Sequence, residues 1–178
     1  MKAFFMGCLF LISFSPKVEH YELNPDRSNV IWQAGNHNGV IKFTEGYIEI
    51  KNSVLVKGVC IIDMTTLKNI DIQNKELSKM LDDHLKSKHY FNVEKYPVAT
   101  LDIQKSTNID ISPVMVTGML AIKNVKRKIT FEVVPYDRYF EGEVKVDRVE
   151  EFFDSIGKSM APDNIILTVK IHLEQKSS

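Results

Sequence analysis

The sequence predicts an all-β domain of antiparallel strands with one or two short helices, and three observations carry that expectation. From Ser28 onward most of the chain alternates apolar and polar residues with a period of two, the pattern of a strand with one face to a core. Roughly eight such runs follow one another, separated by short polar or turn-forming stretches. One stretch, from Asn74 to Ser87, switches instead to apolar residues three and four apart.

Taken in order, "NVIWQA" sets Val30, Trp32 and Ala34 against Ile31 and Gln33. In "GNHNGVIKFTEG", Asn38-Gly39 is the expected turn dipeptide before the next strand. "YIEI" and "VLVKGVCII" continue the series, and "VMVTGMLAI", "RKITFEVV", "FEGEVKV" and "NIILTVKIHLE" come later. The last is the clearest, with Ile165, Leu167, Val169, Ile171 and Leu173 on one face.

The helical stretch brings Leu77, Met80, Leu81, His84 and Leu85 to one side, with Asn74 placed to cap its start and Asp82 turned outward. After it, "HYFNVEKYP" runs through aromatics to Pro97, which biases the preceding residue to extended backbone. "DRVEEFFDSIGKSMAPD" is a second irregular stretch and the place for a second short helix.

Val114, Val116, Leu120 and Ile122 share one face of their strand, yet Met115, Met119 and Ala121 occupy the other. A strand with one face to water does not carry this pattern, so either the helix covers part of the outside or the interior is unusually apolar. Eight strands can close into a barrel with room for one small ligand; a sandwich is the other closure.

The 178 residues suffice for one domain with a sizeable core. Lys plus Arg and Asp plus Glu balance at 23 each, so no charge excess points to nucleic acid or an anionic membrane. The first segment differs in kind: Lys2 precedes an uncharged run from Ala3 to Ser15. That run is shorter than the roughly 20 apolar residues of a membrane span and fits a secretory leader. The expected division is a signal peptide over 1–20, with cleavage near Ser13 or Ser15, and a folded domain over 21–178 in the periplasm or outside the cell. Gly7-Cys8 invites a lipoprotein reading, but Phe5 and Met6 fit that motif poorly. With the leader gone Cys60 stands alone, so no intramolecular disulfide is expected and a buried, inert thiol is.

Acid beside histidine in "DDHLKSKHYFNVEKYPVATL" raises the question of catalysis. Consecutive helical residues point about 100° apart, so Asp82, Asp83 and His84 cannot form one directed dyad. No nucleophile elbow is present, and no catalytic residue is expected. There is no HExxH and no CxxC, and the five-residue gap between His84 and His89 is not a usual helical ligand spacing, so no metal site is expected either. "GNHNG" has strands on both sides and reads as a hairpin rather than a phosphate loop. Lys123, Lys126, Arg127 and Lys128 cluster at a turn.

Several motifs taken together resemble the YceI-like family of exported, lipocalin-like barrels. They run from "YELNPDRSNVIWQAGNHNGVIKFTEGYIEI" through "GVCIIDMTTLKNIDI" and "HLKSKHYFNVEKYPVATL" to "VTGMLAIKNVKRKITFEV" and "VDR". The resemblance covers roughly residues 21 to 174. It implies an eight-stranded antiparallel lipocalin-like barrel with a helix near one end and an elongated apolar tunnel for a polyisoprenoid-type lipid, such as an isoprenoid quinone, or another long-chain amphiphile. Arg27 stands where a histidine is more usual, and His89 where an acid commonly precedes the aromatic pair Tyr90-Phe91.

On that reading the lipid-binding residues are Trp32, His84, Leu85, Phe91, Val116, Leu120 and Phe131. No cofactor beyond the bound lipid is implied, no nucleic-acid partner is expected, and a homodimer is compatible. Seven Met and ten Phe suit an adaptable lining, and they suit an ordinary packed core equally. The competing readings are an enzyme using His84 or His89 as acid or base on an amphiphile, and a filled barrel with an interaction role.

Overall fold

A computed structural model describes residues 17–137, 139–147 and 164–175. Residues 1–16, which hold most of the expected leader, and the irregular stretch over 148–163 lie outside the described residues, and with them the expected second helix.

Nine strand segments close into an antiparallel barrel with eight strand positions around its wall. The arithmetic rests on β1 (Val18–Leu23) and β2 (Asn29–Ala34), which both lie between β3 (His37–Lys51) and β9 (Asn164–Gln175). They are one strand position broken by a turn. Asn24 makes that break, its Oδ1 accepting from the N–H groups of Asp26 at 3.0 Å and Arg27 at 3.1 Å. Ser28, buried, resumes the wall, its Oγ accepting from the His172 N–H at 2.9 Å.

From β3 the chain runs as a meander in which each strand pairs with the next. The order is β4 (Val54–Asn69), β5 (Val98–Ser106), β6 (Val114–Ile122), β7 (Val125–Pro135) and β8 (Tyr139–Asp147), until β9 meets β2 and closes the ring. Tight turns fix the registers. Asn52 and Ser53, at φ 51° and 58°, form the two-residue loop between β3 and β4, with both central residues left-handed. Between β2 and β3 the turn is Gly35-Asn36, with Gly35 at φ 59°. Asn38-Gly39, the expected turn, is inside β3 and paired with Gln33 and Trp32. Register shifts along β3 and β4 bend these two long strands around the barrel.

The inward faces are those the alternation marked. Val114, Val116, Leu120 and Ile122 are buried, as are Phe131 and Val133 of β7. Met115 is 36 % exposed on the outer face of β6, and the one helix among the described residues packs against β4 instead. The helix does not cover the second apolar face of β6, whose Met115, Met119 and Ala121 stand exposed or half-buried on the outside of the barrel.

That helix, α1 (Lys75–Lys86), sits in the long connection from β4 to β5 and covers one end of the barrel. Asn74 caps it, its side chain accepting from the N–H groups of Glu76 and Leu77. Asp82 points inward, correcting the outward placement expected from spacing. Its Oδ1 accepts from both the backbone N–H and the side-chain Nδ2 of buried Asn69, each at 2.7 Å. The Asn69 amide also donates to the Ser78 carbonyl at 2.8 Å, so one buried side chain fastens two turns of the helix to the end of β4. Leu81 and Leu85 turn toward the barrel, while Leu77 and Met80 remain exposed.

Candidate functional site

The barrel interior is divided into two chambers of very different size. The chamber far from the helix has a volume of about 40 Å³ and is lined by Ile48, Leu101, Val116, Phe131, Val133 and Val169 among others. The chamber beneath the helix has a volume of about 380 Å³. One water needs only about 10–15 Å³ of such space, and small-molecule pockets fall in the range of about 300–1,000 Å³. The lower chamber is therefore nearly filled core, and the upper one has the capacity of a ligand site. Leu101 and Leu120 are direct cross-strand partners and belong one to each chamber, which places the boundary at their level.

Strand positions of β2, β4, β6 and β9 build the upper wall: Val30 and Trp32, Met64 and Leu67, Leu120 and Ile122, Ile165 and Leu167. From above, Leu81, His84 and Leu85 of α1 and the aromatics Tyr90 and Phe91 complete it. The segment carrying these aromatics folds on itself, with the Tyr90 N–H donating to the Ser87 carbonyl at 3.0 Å and the Phe91 N–H to that of Leu85 at 3.1 Å. Lys123, at φ 58° in the β6–β7 turn, donates from Nζ to the Tyr90 carbonyl at 3.0 Å and ties the cover to the wall. The His84 and Tyr90 rings meet edge to face at 4.6 Å. The acid- and histidine-rich stretch is thus the cover of an apolar chamber.

Of the expected lining residues, Trp32, His84, Leu85, Phe91 and Leu120 come together in the upper chamber. Val116 and Phe131 line the lower one and are separated from the rest. Neither His89, which is exposed, nor Asp83, which pairs with Lys79 on the helix surface, lines a chamber. Among the described residues no group of three His, Cys, Asp or Glu side chains is placed to hold a metal ion. Cys60 is buried and free; burial, with a smaller contribution from the Asp102 charge, pushes its thiol up to about 12.

Two features escaped the sequence reading. Trp32 lies over Gly39, where a Cβ would overlap the Lys68 carbonyl oxygen and the edge of the indole. Gly39 in turn pairs with Asn69, so the two stand on either side of it, and Trp32 Nε1 and Asn69 Oδ1 are both buried without a hydrogen-bond partner. The second feature is a hydrogen-bonded pair at the chamber rim, His37 Nδ1 to Asp71 Oδ2 at 2.8 Å. Partial burial pushes the Asp71 carboxyl up, but hydrogen bonds from His37 and from the Asn38 N–H outweigh it and hold the carboxyl below its ordinary value. The two residues are 34 positions apart, and no local motif announces them.

Comparison with known proteins agrees with this architecture. The YceI-like domain model matches residues 21–174. BcnA of Burkholderia cenocepacia superposes with a TM-score of 0.71 at 18 % identity, covering 85 % of this chain and 99 % of that one. A polyisoprenoid-binding domain from Saccharophagus degradans gives 0.59 at 13 % identity, over 88 % and 98 % of the two chains. A YCEI protein of Campylobacter jejuni gives 0.53 at 21 % identity, over 83 % and 85 %. No curated protein sequence matches. With a closed eight-position barrel, a helix-covered apolar chamber and a family match over nearly its whole described length, the chain belongs to the YceI-like domain family.

Proposed function

We propose that this protein binds a single long-chain amphiphile, of isoprenoid type, with its chain in the upper chamber. The observation that carries the reading is the volume of about 380 Å³ walled by aliphatic and aromatic side chains. Burying an apolar chain there releases about 25 cal/mol per Å² from water, with no polar group of the wall left to desolvate along most of its length. The polyisoprenoid-binding description of the S. degradans relative supports the same ligand class. The polar side chains on the lining are Trp32, His37, His84 and Tyr90; the lining itself holds no carboxylate, hydroxymethyl or thiol, and the Asp71 carboxylate beside His37 is taken up by that ring and by the Asn38 N–H. A binding role follows more directly from that inventory than catalysis by His84 or His89.

The reading includes export. The first strand begins at Val18, so cleavage near Ser13 or Ser15 would leave it whole. Native mass spectrometry of freshly purified protein tests the proposal: one co-purifying long-chain lipid per chain is expected, and a chain that carries none and takes none up from an isoprenoid extract would refute it. N-terminal sequencing of the mature protein tests the export.

A further inference from the structure

The His37–Asp71 pair stands where the apolar chamber meets solvent, and its geometry fixes what it can offer a ligand. His37 lines the upper chamber, and its side chain is 48 % exposed. Asp71 holds it from one side at 2.8 Å and is itself held by the Asn38 N–H at 3.3 Å. An ionised carboxylate only accepts hydrogen bonds, so the shared proton sits on His37 Nδ1. In the neutral ring that leaves Nε2, on the opposite edge, as an acceptor. The position is rigid: His37 is the first residue of β3, directly after the Gly35-Asn36 turn, and the Ile70 N–H donates to the Asn38 carbonyl at 3.0 Å, pinning the Asp71 segment beside it.

Besides His37 the wall carries the Trp32 Nε1–H, a donor, and the rings of His84 and Tyr90 among aliphatic side chains, so His37 Nε2 is an acceptor at its rim that selects among head groups. We infer that His37, set by Asp71, is a head-group site that recognises a hydroxyl-bearing end, an alcohol or phenol, on the amphiphile in the upper chamber. This inference rests on the lipid-binding reading and adds to it a preference for a hydrogen-bond donor over acceptor-only heads such as quinones, esters and ethers. Asp71 is a positioning residue, since it acts only through the imidazole.

The test compares retinol, a hydroxyl-headed isoprenoid polyene, with retinyl methyl ether, which keeps the chain and removes the donor. Both can accept excitation energy from Trp32, the single tryptophan and itself a chamber residue. One neutral hydrogen bond corresponds to roughly a 3–10-fold preference for the alcohol. His37→Phe keeps an aromatic ring and removes the acceptor, so it should abolish the preference. Asp71→Asn frees the ring to take either tautomer, so it should weaken the preference, and 15N spectra of the imidazole should show the proton leaving Nδ1. Equal binding of alcohol and ether by the wild type, or an unchanged preference in His37→Phe, would overturn the head-group site and leave lipid binding standing. Binding of neither ligand would overturn both.

Discussion

Trp32 and Gly39 face each other across the β2–β3 ladder, and the indole fills the space in which a side chain at 39 would stand. The largest ring of the chamber wall therefore depends on a missing methyl group one strand away. Gly39→Ala should destabilise the fold by about 1–3 kcal/mol, the usual range for overpacking a filled site. Because Trp32 is the single tryptophan, its emission should change along with the melting temperature. A lowered melt with unchanged emission would place the strain elsewhere.

The cover depends on a different contact. Asp82→Ala leaves the backbone N–H of buried Asn69 without its acceptor, while the Asn69 Nδ2 keeps its bond to the Ser78 carbonyl. An unsatisfied buried polar group costs about 1–3 kcal/mol. Amide hydrogen exchange should therefore accelerate across α1 and at Asn69 while the β6–β7 hairpin keeps its protection. Asp82→Asn retains an acceptor oxygen and should lose less.

The division of the interior can be probed by volume. Val116→Phe adds a ring to a chamber of about 40 Å³ and should cost about 1–3 kcal/mol in thermal melts of lipid-free protein. Leu120→Phe grows into the chamber of about 380 Å³, so the lipid-free protein should lose little stability while lipid affinity falls. A reversed order of stabilities would mean the lower chamber is the roomier.

Cys60 gives a pH-dependent prediction. Its thiol is raised from 9.0 to about 12 in the fold, so the native state keeps a proton that the unfolded chain gives up. Its stabilising contribution is complete below pH 9, declines as pH rises above that, and reaches its limit as pH passes about 12. Iodoacetamide at pH 8.5–9 should leave the native thiol unmodified and label it on unfolding. Rapid native labelling would show that the thiol is accessible.

Much of the fold was legible because it depends on local pattern. Period-two runs marked the inward faces of β6, β7 and β9, and the shift to helical spacing with Asn74 before it marked α1 and its cap. The β2–β3 turn was misplaced by a few residues because Gly35-Asn36 and Asn38-Gly39 carry the same turn chemistry, and only the pairing of β2 with β3 decides between them. Asp82 was misread because α1 makes contacts on two sides, one over the chamber and one against Asn69, whereas a single amphipathic stripe suggests one.

The candidate site was half legible for a similar reason. Alternation places Val116, Leu120 and Phe131 inside, but says nothing of how much space lies in front of each. That depends on which rings reach inward from other strands. His37 and Asp71 meet only because β3 and the end of β4 are neighbours, a relation of topology rather than spacing.

The central claim is that the upper chamber holds one amphiphile, and energy transfer from Trp32 to a bound polyene tests it most directly. Lipid-free protein titrated with retinol should quench Trp32 emission saturably at one ligand per chain. Leu120→Phe should weaken that binding, and an unlabelled isoprenoid alcohol of similar length should reverse it. Folded protein whose Trp32 emission shows no saturable transfer, or transfer untouched by Leu120→Phe and by the competitor, would contradict the account.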